Sequence, residues 1–120
     1  MKGLFLCLVL LVPVAGSAGS EPSARMQAAQ QAYDAQDYSR ALEHYDGLLR
    51  DGWSGLALHF NRGNTLARLG RAGAAIASYR TALLMHPRDA DAAANLAFVM
   101  KEAALPANRP GLLDRTLGVL

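Results

Sequence analysis

The feature that most constrains this chain is a repetition at a fixed distance. Setting Ala41 over Ala75 brings Tyr45 onto Tyr79, Leu49 onto Leu83, Leu42 onto Ile76 and Ala29 onto Gly63, all at a constant offset of 34 and without a gap. Such a period means that one supersecondary unit recurs, each copy too small to bury its apolar face alone. The offset marks a first unit at residues 22–55 and a second at 56–89. A third begins at Ala90, where "NLAF" (95–98) falls under "NRGN" (61–64).

Each unit reads as two helices. In the second, Leu58, Leu66 and Leu69 recur at helical spacing, so Leu56 to Leu69 form the first helix. "GRAG" (70–73) is expected to make the turn, with Gly70 supplying the permissive backbone that ends a helix. Ala74 to Met85 form the second helix, with Ala75, Tyr79, Ala82 and Leu83 turned inward, and Pro87 stops it by removing a donor and clashing with a continuing turn. Two helices joined so tightly must approach closely. Gly63 and Ala75 remove side-chain bulk at the crossing, and Tyr79 fills the space beside it. The third unit supplies one helix, Ala90 to Ala104, which caps the stack. Pro106 and Pro110 rule out a second helix in that unit, leaving 105–120 as a Pro-containing tail with Leu113, Leu117 and Leu120 on one side. The fold class is all-α.

The period of 34 and the order Gly63, Ala75, Tyr79, Ala82, Pro87 resemble the tetratricopeptide repeat (TPR). The first unit keeps Ala29, Ala41 and Tyr45, but has Leu48 in place of the small residue matching Ala82 and Trp53 in place of the proline. Arg62 and Ala28 stand where that family usually has leucine. The resemblance covers residues 22–102. It implies a short TPR α-solenoid of two full helix-turn-helix repeats plus a capping helix. More narrowly, "YDAQDYSRALEHYDGLLRDG" and "LHFNRGNTLARLGRAGAAIASYRTALLMHPRDADAAANL" are similar to the exported TPR proteins of bacterial aerotolerance (Bat) operons. The later membrane and SH3-like segments of that family have no counterpart in the residues here.

The start of the chain has its own logic. Met1 and Lys2 give a positive end, "GLFLCLVLLVPV" is a short apolar run, and "AGSAGS" supplies small residues. This is the layout of a secretory signal peptide over 1–18, cut after Ala18 with Gly16 and Ala18 at the cleavage site. The alternative is an uncleaved leader anchored in the inner membrane, although a bilayer-spanning helix needs about 20 apolar residues. The expectation is an exported domain, in the bacterial periplasm. The single cysteine, Cys7, lies in the apolar run, so the mature chain is expected to have no disulfide, catalytic thiol or cysteine metal site.

Charge argues against nucleic acid. The pI is near 9.0, but from Gly19 onward eleven basic residues face ten acidic ones. The distribution is uneven: 22–55 carries three Arg against five acids, and 56–89 five Arg against one Asp. Such asymmetry either orients a partner or is a solvated face.

Little in the sequence supports catalysis. His44, His59 and His86 are scattered along the chain, without the i+3 or i+4 spacing that a helical metal site needs. No nucleophile–base set, phosphate-cradling glycine loop or carboxylate pair is present. A non-enzyme without metal or cofactor is expected.

Binding is the remaining class, because stacked repeats curve and line their inner side with the first helix of each unit. By the TPR pattern the concave face carries Met26, Gln27, Gln30, Tyr33 and Asp34, then Phe60, Asn61, Asn64, Ala67 and Arg68, then Ala94, Asn95, Phe98 and Lys101. A row of amides between aromatic rings suits an extended peptide, whose backbone pairs with the amides while the rings take apolar side chains. Arg68 and Lys101 suit a carboxylate. The clamp by which some TPR proteins hold chaperone C-termini is absent. Asn61 matches it, but Met26, Gln30, Asp91 and Asn95 fall where lysine, asparagine, lysine and arginine belong. The expected function is an exported adaptor that binds a peptide or protein partner through this face. The alternative is a structural subunit of an envelope complex, Bat-like and membrane-associated, held by its ends and convex surface.

Overall fold

The structure is a computed structural model, and it describes residues 22–104. The signal peptide expected at 1–18 and the tail at 105–120 lie outside the described residues. Within them the chain forms five helices and no strand: α1 (Pro22–Asp34), α2 (Tyr38–Arg50), α3 (Leu56–Arg68), α4 (Ala72–Met85) and α5 (Ala90–Ala104). Each packs on the next in sequence, α1 on α2, α2 on α3, α3 on α4 and α4 on α5. The starts of α3, α4 and α5 lie one full period after those of α1, α2 and α3, so the sequence offset is also the offset of the elements.

The turns inside the two pairs share one geometry. After α1, Gln36 N–H bonds to the Tyr33 carbonyl and Asp37 N–H to that of Ala32; after α3, Gly70 bonds to Ala67 and Arg71 to Leu66. Both are left-handed helix caps, which satisfy carbonyls that the helix end leaves free. Gly70 adopts φ 73° there without cost, whereas Gln36 is held at φ 62° with a side chain. The expected turn at 70–73 is therefore shorter than its letters implied. Ala72 and Gly73 already belong to α4, because α3 ends at Arg68 with Leu69 as its cap, and only Gly70 and Arg71 separate that cap from α4.

The helix starts differ more than the turns. Asp37 accepts from Arg40 N–H at 3.2 Å and so caps α2, and Asp89 accepts from Ala92 N–H at 2.8 Å at the start of α5. Arg71, which occupies the Asp37 position before α4, makes no side-chain cap bond.

Two apolar clusters hold the helices together, each built around a tyrosine. Tyr45 packs with Ala29, Ala32, Ala41, Leu48 and Leu58. Tyr79 packs with Leu42, Leu66, Ala75 and Val99. Leu58 joins the first cluster from α3 and Val99 joins the second from α5, so each helix pair is closed by the next. Gly63 explains the close approach of α3 and α4. A Cβ built on it would stand 2.7 Å from Cε1 and 2.8 Å from Cδ1 of the Tyr79 ring. Ala82 and Ala75 are also fully buried. Arg62 is no misplaced leucine. Its Nε donates to Asp46 Oδ1 at 2.7 Å and its Nη1 to the buried Ser78 hydroxyl at 2.7 Å, tying α3 to both α2 and α4.

Candidate functional site

The first helices α1, α3 and α5 share a face that opens into a pocket of about 460 Å³. Tyr33 comes from the last turn of α1, Asn64, Ala67 and Arg68 from α3, and Asn95, Phe98 and Val99 from α5, with the Tyr79 ring of α4 behind them. Helical spacing places these side chains: 64, 67 and 68 lie one turn apart on α3, as do 95, 98 and 99 on α5. No carboxylate among the described residues lines the pocket.

Asn64 is the organising side chain. Its Oδ1 accepts from the Tyr79 phenol at 2.6 Å and from Asn95 Nδ2 at 2.9 Å. With both acceptor positions taken, the Asn64 amide presents its N–H2 donors, and Asn95 keeps a free carbonyl oxygen as acceptor. The pair therefore offers amide donors from Asn64 beside a carbonyl acceptor from Asn95, which together can meet the C=O and N–H of a peptide backbone. Burial pushes the Tyr79 phenol up to about 12, so it donates to Asn64 at any neutral pH.

Arg68 is posed beside this pair. Its Nε donates to the Tyr33 hydroxyl at 3.3 Å, and its guanidinium lies 5.9 Å from the centroid of the Tyr38 ring. Tyr33 and Tyr38 meet edge to face at 5.2 Å, so two rings across the α1–α2 turn fix the cation from one side. The hydrogen bond to Tyr33 raises the Arg68 pKa further. The ion pairs among the described residues are Arg25–Asp51 and Arg62–Asp46, which leaves Arg68 without a carboxylate. Phe98 stands at the rim and is 64% exposed. A cation, an amide pair and an unpacked aromatic ring thus surround one opening.

Of the residues expected on this face, Tyr33, Asn64, Ala67, Arg68, Asn95 and Phe98 meet at the pocket. The others lie elsewhere on it. Gln30 is exposed and donates to Asp34 Oδ1 at 2.8 Å. Gln27, Ala94 and Lys101 are exposed outside the pocket lining, and Met26 packs on the first cluster. Phe60 leans on the second cluster, its ring 6.1 Å from that of Tyr79. Asn61 is half-buried, and its carbonyl accepts from Thr65 Oγ1 at 2.8 Å. Sequence reasoning missed two contributors. Tyr38 lies outside the first helices, and the polar end of Tyr79 was read only as packing. The signal for Tyr38 was its place shortly after Tyr33, across a turn.

The histidines sit away from the pocket. His59 Nε2 is 2.9 Å from Ser54 Oγ, and burial together with the nearby Arg62 lowers its pKa. His86 follows the last residue of α4. No group of three His, Cys, Asp or Glu among the described residues is placed to hold a metal ion. No described helix is long and apolar enough to cross a membrane.

No family model, curated protein or solved structure matches this chain.

Proposed function

We propose that residues 22–104 form a short TPR α-solenoid that binds an extended segment of a partner protein, without catalysing a reaction. The concave face holds the segment. Asn64 donates to a backbone carbonyl of the ligand and Asn95 accepts from a backbone N–H, while Phe98 covers an apolar side chain and Arg68 pairs with a carboxylate. The observation that carries this reading is the double acceptance at Asn64 Oδ1, which fixes the outward amide before any ligand arrives and lowers the ordering cost of binding. The apolar start and small-residue stretch of the sequence support export, and the periplasm is the compartment we assign.

A pull-down from envelope extract tests this with the protein beside an Asn64→Asp, Arg68→Glu variant. Aspartate keeps the oxygen that Tyr79 and Asn95 need and replaces the outward donor by an acceptor, so the fold is preserved while the site is inverted. Loss of the partner in the variant supports the reading, and retention removes it.

A second reading, a structural subunit of an envelope complex, rests on the outer face of α5. Leu66 and Gly63 of α3 are buried against α4, but their equivalents Met100 and Ala97 on α5 are exposed, Met100 by 44%. A partner held there survives Asn64→Asp, Arg68→Glu and is lost on Met100→Asp.

A further inference from the structure

Five large hydrophobic side chains stand exposed among the described residues, and three of them, Trp53, Leu84 and Met85, belong to one edge of the domain. Trp53 lies in the turn after α2, and Leu84 and Met85 end α4. Because α3 starts from that turn and α4 packs back along α3 through a short connection, the ends of α2 and α4 come to the same side. Leu84 is 83% exposed and Trp53 49%, and no packing role within the domain explains either.

After Asp51, the chain as far as the end of α4 carries cations only. Residues 52–88 contain no aspartate or glutamate. Arg50, Arg80 and Arg88 are exposed, and none takes part in an ion pair among the described residues. The nearest acids are mostly engaged: Asp51 pairs with Arg25, and Asp89 accepts from Ala92 N–H at the start of α5. Asp91, one residue into α5, is exposed. A tryptophan and two aliphatic side chains flanked by free arginines is the composition that settles at the boundary between headgroups and acyl chains, where the rings and stems are apolar and the cations meet phosphate.

The direction of the chain agrees. Where the leader is retained as an anchor, the apolar run at residues 3–14 precedes Pro22, the first residue of α1. The Arg25–Asp51 ion pair holds that end of α1 against the C-terminal end of α2. The chain therefore enters the domain at the edge that carries Trp53, Leu84 and Met85.

We infer that this edge rests on an anionic phospholipid bilayer, with Trp53, Leu84 and Met85 in the interface and Arg50, Arg80 and Arg88 on lipid phosphates. The concave pocket, built from the first helices, stays available to a protein partner, so the two surfaces act independently.

Trp53 is the only tryptophan in the chain, which makes it a reporter for this edge alone. Its emission is measured in the full-length protein with vesicles of phosphatidylglycerol and phosphatidylcholine, with phosphatidylcholine vesicles alone, and with both lipid mixtures carrying brominated acyl chains. The expected result is a blue shift and bromine quenching with the anionic vesicles, lost in high salt because the attraction is screened. Leu84→Asp, Arg88→Glu loses both signals at unchanged helicity, since both side chains are exposed and outside the apolar clusters, whereas Asn64→Asp, Arg68→Glu keeps them. The apolar run at 3–14 can carry the full-length protein onto vesicles by itself, and Trp53 separates the cases. Sedimentation with anionic vesicles while Trp53 keeps its aqueous emission overturns the inference. So does an equal shift with neutral vesicles, or a shift produced by polyglutamate and not by lipid.

Discussion

The Tyr79 phenol donates to Asn64 Oδ1 at 2.6 Å, while the Tyr45 phenol, one repeat earlier in the same packing role, is buried and finds no hydrogen-bond partner among the described residues. The difference traces to one position. Gln30 stands where Asn64 does in the second unit, and its longer side chain turns to Asp34 instead. Tyr79→Phe should cost about 1 kcal/mol in urea unfolding, the typical net value of one hydrogen bond. Tyr45→Phe should be neutral or stabilising, because it removes a desolvated hydroxyl that gains nothing in the fold. Equal losses at the two positions would show that the Asn64 bond contributes little.

The same two phenols set an alkaline limit. Burial raises both from 10.0 to about 12. In the unfolded chain they release their protons near pH 10, so between pH 10 and 12 the folded state holds more protons than the unfolded one. Stability is then fully present below pH 10 and falls as pH rises toward 12, by roughly 2 kcal/mol per tyrosine. Phenolate absorbance followed alongside circular dichroism checks this: ionisation of both tyrosines should coincide with unfolding and not precede it.

Gly63 has no room for a methyl group. The added Cβ would lie within 3.0 Å of three atoms of the Tyr79 ring, which is itself packed among Leu42, Leu66 and Ala75 and cannot swing away. Gly63→Ala should therefore destabilise by about 1–3 kcal/mol despite its gain in helix propensity. Because the displaced ring carries the hydroxyl that holds Asn64, partner binding should weaken with it.

The helix pairs and the Gly63–Tyr79 fit were legible from the sequence because a gapless offset aligns packing positions, and packing positions are apolar or small by necessity. The helix ends were less so. A glycine at 70 marks a cap, but whether Ala72 and Gly73 extend the turn or open the next helix depends on the cap's own hydrogen bonds, which the letters do not show. Arg62 broke the pattern of leucines and read as a departure. Its role appears only when Asp46 and Ser78 are brought to it from neighbouring helices. For the same reason Asn64 and Asn95 could be placed on one face by periodicity, while their hydrogen bond, between separate helices, could not.

Gln36 offers a correction that the repeat itself writes. It sits at φ 62° in the cap where the second unit uses Gly70, and a side chain there costs roughly 1–2 kcal/mol, partly offset by the lower backbone entropy of glutamine in the unfolded chain. Gln36→Gly should raise stability by about 0.5–1 kcal/mol, seen as a higher urea midpoint with an unchanged slope. A lower midpoint would contradict the left-handed cap.

Site-specific photo-crosslinking in cells tests the central claim most directly. A benzophenone side chain replaces Phe98 at the rim of the pocket in one strain and Glu43, exposed on α2, in another. A binding face on the first helices predicts a partner adduct from position 98 that disappears with Asn64→Asp, Arg68→Glu, and none from position 43. An adduct from position 43 with none from position 98 would contradict it.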